Sequence, residues 1–200
     1  MTVGMLRRCL AVVGVDLDLA VRGDRARFDR LLDERHAALE TRWAAYLRRL
    51  GWRVWVERSF SHFGERGRVD LLCWHAPTPT LAIVEIKTEL ADIQDLLGSL
   101  DTKVRLATTL AAELDLPRPA LAVPILVLEE SMTMRRQVAR LAALFEQYEL
   151  RGREARSWLR NPHGAPTGIL VFSAANASRT REVAGQRIRV RGASNHSGRA

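Results

Sequence analysis

Three charged residues stand where buried strands should have none. Asp70 interrupts the apolar run RVDLLCW, Glu85 interrupts LAIVEI, and Lys87 follows Glu85 by two positions. Side chains alternate across a strand, so Glu85 and Lys87 point to the same face. A turn centred near Thr78 would set Asp70 opposite Glu85 or Lys87, and all three would converge. Isolated carboxylates inside a sheet are costly, whereas two carboxylates beside an ammonium can hold a divalent cation. Magnesium suits such a set, because it takes carboxylate oxygens, waters and a phosphate oxygen of a substrate. A cation held there activates water and offsets charge developing on phosphorus, while Lys87 orients that water or stabilises the transition state. The plain alternative is a buried salt bridge between Lys87 and either acid. An E-x-K with an upstream Asp recurs by chance, so its weight comes from the elements around it.

Those elements can be read from spacing. Residues 28–50 carry Leu31, Leu32, Leu39, Trp43, Tyr46, Leu47 and Leu50 at helical intervals, with Gly51 as a stop. From Trp52 to Phe60 the pattern alternates as a strand, and SHFGERG at 61–67 reads as a turn. Val69–Trp74 is a second strand, ended by APTPT, and Leu81–Lys87 is a third, apolar enough for burial on both faces. Residues 90–113 return to helical spacing, with Leu96, Leu97, Leu100 and Val104 among its apolar positions, and PRP at 117–119 ends that region. Leu121–Leu128 is a fourth strand, Ser131 an N-cap for a helix over 132–149, and 167–173 a fifth strand. Helix, three strands, helix, strand, helix, strand predicts an α/β chain with a mixed sheet flanked by helices.

Composition bounds the rest. Two hundred residues at 47% hydrophobic suit one domain with tails. No apolar run approaches the roughly 20 residues of a membrane helix. Asp16 and Asp18 follow the short apolar stretch Leu10–Val15, against a secretory signal, so the expected location is cytoplasmic. Cys9 and Cys73 form neither a disulfide framework nor a metal cluster, and His62 with His75 gives no zinc pattern. A net charge of +8 points to a polyanionic partner. Part of it is local: residues 176–200 hold six arginines against one acid, Glu182, and read as a disordered basic tail.

The stretch ERGRVDLLCWHAPTPTLAIVEIKTELADIQDLLGSLDTKVRL, residues 65–106, resembles the core of PD-(D/E)XK nucleases. With its flanks the resemblance spans roughly 28–130, and it implies a restriction-endonuclease-like α-β-β-β-α-β unit. It further implies that Asp70 and Glu85 are metal ligands for Mg2+ or Mn2+, with the Ile86 carbonyl as a further ligand, Lys87 as the catalytic lysine and DNA as substrate. Val69 stands where the family name has proline. Members similar to junction resolvases add a glutamate on the first helix, which makes Glu40 a candidate. Others add a polar residue after the lysine, which makes Gln94 one. Glu57, Glu65 and His62 on the first hairpin are read as ordinary exposed residues that could face DNA. Residues 1–24 resemble the end of a helix-turn-helix domain joined to such a nuclease in actinobacterial proteins, read as a remnant or linker. The nuclease-like domain is then 25–175.

Three functions follow as expectations: a metal-dependent endonuclease, for which cutting two strands suggests a homodimer; a catalytically silent DNA-binding or regulatory protein of that fold; or a defence or toxin–antitoxin interaction module. The metal-site reading also expects Glu85→Gln to weaken magnesium binding with little loss of fold.

Overall fold

The computed structural model describes residues 25–174, with Met5 and Val12. The segment expected as a helix-turn-helix remnant and the basic tail therefore lie outside the described residues, apart from those two positions. The chain divides into two compact units, Met1–Glu34 and Arg35–Ala200. Helix α1 runs Arg25–Arg49 and closes on Gly51, whose φ of 90° only glycine adopts easily. There the Trp52 N–H returns to the Leu47 carbonyl at 3.1 Å, satisfying an orphan acceptor of the last turn.

Strands β1 (Arg53–His62), β2 (Glu65–His75) and β3 (Thr80–Lys87) follow as an antiparallel meander. The first hairpin is tighter than expected. The segment 61–67 is mostly strand, and only Phe63 and Gly64 turn, both at positive φ. Gly67 is needed within β2, since a Cβ there would stand 2.8 Å from the Phe60 ring. The second hairpin is fastened by His75, whose Nδ1 lies 2.7 Å from Thr78 Oγ1; this buried histidine is a turn clasp.

The expected helix over 90–113 begins later and breaks once. Asp92 caps α2 (Ile93–Arg105) by accepting from the Asp95 N–H, and α3 (Ala107–Ala112) continues after Leu106. Strand β4 (Leu121–Glu130) lies parallel to β3. Ser131 caps α4 as expected, yet the helix spans only Met132–Arg140, followed by a 3-10 turn at Ala142–Phe145. A two-residue strand β5 (Leu150–Arg151) leads into α5 (Gly152–Arg160), which the spacing did not suggest, and β6 (Ile169–Ala174) completes the sheet.

The fold is α/β: a six-stranded mixed sheet in the order β1-β2-β3-β4-β6-β5, flanked by helices. One face packs Leu81, Ile83, Leu126 and Leu128 against α2, α3 and α4. The other packs Ala82, Val84, Ile86 and Val127 against α5 and the part of α1 that begins at Leu39. The Trp52 indole N–H donates to the Leu159 carbonyl at 2.9 Å, tying the α1–β1 corner to α5. No helix among the described residues is long and apolar enough to cross a membrane.

Candidate functional site

The candidate site lies where β2 and β3 part. Their ladder ends at Leu71↔Val84, one step short of Asp70 and Glu85. Of the two registers open from sequence, this one places Asp70 level with Glu85. Past the ladder the Ile86 N–H donates to Asp70 Oδ2 at 2.7 Å, so a carboxylate serves as acceptor for a buried main-chain donor.

Both β1 and β2 change face at this level. On β2, Leu72 and Trp74 pack on the first face and Leu71 and Cys73 on the second, yet Val69 joins the first. On β1, Trp52 and Val54 pack on the second face, while both Trp55 and Phe60 meet the first. The break falls on Glu57, whose φ is 52°, and on Asp70 opposite it; the pairing skips from Val56↔Leu71 to Arg58↔Val69. A left-handed residue inside a strand reverses the alternation. Asp70 is thereby brought near α1: His36 Nε2 lies 3.9 Å from its Oδ2.

Glu85 is held from two sides. Its Oε1 accepts from Lys87 Nζ at 2.8 Å and its Oε2 from Lys103 Nζ at 2.6 Å. The Lys87 side chain is 34% exposed, whereas that of Lys103 is 4% exposed. Lys103 was not anticipated as a site residue. Its signal was present: it falls on the buried stripe of Leu96, Leu100, Ala107 and Leu110 at steps of three and four, as a charge in a core position. This pair argues against the expectation that Glu85→Gln spares the fold, because that change would weaken the only ion pair formed by a buried lysine among the described residues.

Glu40 is 6% exposed on α1, and its Oε1 has no hydrogen-bond partner among the described residues. Burial first, then the charges of Asp70 and Glu57, push its carboxyl up to about 7, against the opposing pull of Arg68. Burial and the charge of Glu85 likewise raise Asp70, opposed by the Ile86 N–H, Lys87 and His36. The charge of Glu85 thus raises Asp70, and that of Asp70 in turn raises Glu40. Three acids stand against two ammonium groups, which leaves one negative charge when all are ionised.

The remaining expectations separate. Gln94 is exposed on the first turn of α2, and no hydrogen bond of the site among the described residues reaches it. Ile86 is buried between the two acids, with its N–H committed to Asp70. Glu57 pairs with Arg68 at 3.3 Å, His62 with Glu113 at 2.8 Å, and Glu65 with Arg105 at 4.0 Å, so each of these three hairpin residues is held in a surface ion pair.

Among the described residues no three His, Cys, Asp or Glu side chains are gathered as a metal-holding set. A zinc-like cage is not what these residues build. Magnesium needs only one or two carboxylates, the rest of its shell being water and substrate phosphate. The orphaned Glu40 oxygen and the raised carboxyls of Glu40 and Asp70 fit a divalent cation of that kind. Set against known proteins, the chain matches no family model and no curated protein.

Proposed function

We propose that this chain is a metal-dependent nuclease of the PD-(D/E)XK type that hydrolyses DNA phosphodiester bonds, with Mg2+ or Mn2+ as its cofactor and the cytoplasm as its location. The observation that carries the reading is the gathering of Asp70, Glu85 and Lys87 at the parting of β2 and β3, with Glu40 contributing a third buried acid. Asp70 and Glu85 would hold the cation, with Glu40 taking part directly or through water. Bound there, the cation would supply an activated water and offset the charge developing on the phosphate.

The chain's own residues do the rest. The Ile86 N–H fixes Asp70, so its second oxygen keeps one orientation without rearrangement. Lys103, on the buried face of α2, fixes Glu85 in the same way. Lys87 shares Glu85 but retains solvent access, which suits it to meet a substrate phosphate and stabilise negative charge there. Incubation with plasmid, linear and branched DNA, in magnesium or manganese and in chelator, tests the proposal. Metal-dependent cutting that Asp70→Asn abolishes is the expected result.

A second reading has its own observation. Both oxygens of Glu85 are engaged by ammonium groups, one of them deeply buried, as in a structural ion-pair triad. On that reading the chain is a catalytically silent DNA-binding or regulatory protein. A folded chain that binds DNA but cuts none of these substrates in either metal would favour it.

A further inference from the structure

A second concentration of charge lies along α1 and α5. An open groove of about 390 Å³ is lined by Arg42, Arg49 and Arg156, with Tyr46 half-buried on its wall and no acidic residue in its lining. Arg42 and Arg49 lie two helical turns apart, on one side of α1. On α5, Arg153, Arg156 and Arg160 recur at steps of three and four on the side opposite the buried Ala155, Trp158 and Leu159. Arg49, Arg153, Arg156 and Arg160 are exposed, and none of these four forms an ion pair with a described residue. Clustered arginines cost self-repulsion, which a bound polyanion relieves.

We infer that this groove binds the phosphodiester backbone of a nucleic-acid strand. Guanidinium groups match phosphate oxygens in pairs, and spacing along two helices presents them as a track rather than as a single anion pocket. The partly buried Tyr46 ring offers a face for a base from the same strand. A lipid surface fits less well: none of the large hydrophobic side chains exposed among the described residues lies on this groove, so an apolar anchor is lacking. The inference goes beyond the proposed hydrolysis. It needs no metal and holds for an inactive protein.

The test is fluorescence anisotropy of labelled single-stranded and duplex 20-mers with the full chain in chelator, titrated with salt. The comparison is between wild type, Arg49→Glu/Arg156→Glu, and Arg118→Glu as a reversal in the segment before β4. All altered side chains are exposed, and unchanged circular dichroism verifies the fold. The double variant should lose at least about tenfold in affinity at 0.1 M salt, with the salt slope shallower by about 2. Arg118→Glu should stay within about twofold of wild type. The inference is overturned if the double variant binds like Arg118→Glu. It is equally overturned if wild type ignores both oligonucleotides or binds only phosphatidylserine vesicles. Binding is read in chelator and requires no cleavage, so failure of the nuclease proposal would leave this result standing.

Discussion

Glu40 and Glu85 are both buried acids, and their surroundings give them opposite consequences for stability. Glu40 has a folded pKa of about 7 against an ordinary 4.5, so its contribution is complete below about pH 4.5 and is lost as pH rises through 7. Metal-free protein should therefore lose stability between these values, and Asp70, also raised, adds in the same direction. Glu40→Gln should remove much of that loss, stabilising the chain at pH 8 by on the order of 2 kcal/mol. Thermal melts of both proteins from pH 4 to 8 check this, and equal pH slopes would refute it. Glu85→Gln should act the other way, costing about 3–5 kcal/mol by leaving Lys103 buried beside a neutral amide. Replacing the pair, as Glu85→Leu with Lys103→Met, should recover part of that loss in urea unfolding, because no buried charge is then unmatched.

At the level of elements, the irregularity of β1 and β2 decides where Asp70 goes. Glu57 adopts a left-handed backbone that β-branched residues tolerate poorly. Glu57→Val should cost about 1–2 kcal/mol, whereas a valine at Ser59, an ordinary exposed strand position, should cost far less. Chemical denaturation of the two variants measures the difference. The meander, β4 and the capping by Ser131 were legible because apolar periodicity and cap residues are local signals. Level pairing of Asp70 with Glu85 was legible as one of two registers. The face switch was not, since a glutamate at positive φ leaves no mark of the kind glycine or asparagine would. α5 escaped notice because its buried face rests on only Ala155, Trp158 and Leu159 within an arginine-rich segment. Lys103 was missed for a related reason: a lysine in an apolar stripe reads as an exception until its partner on another element is seen.

At the scale of the molecule, positive and negative charge are sorted. The acids gather at the parting of β2 and β3, while arginines line α1 and α5, within a chain of net charge +8. A cation bound at the acid end would relieve repulsion there, so magnesium at pH 8 should raise the melting temperature of wild type more than that of Asp70→Asn, as differential scanning fluorimetry reads directly. On the proposed function, this end of the sheet performs hydrolysis and does more than bind. The most direct measurement is the rate of plasmid nicking in magnesium by wild type and by Lys87→Ala, each shown to be folded. The account predicts metal-dependent nicking in wild type and a loss of at least about a hundredfold in the variant, since Lys87 is the solvent-accessible cation beside Glu85. Equal nicking by the two proteins, or none from folded wild type in either metal, would contradict it.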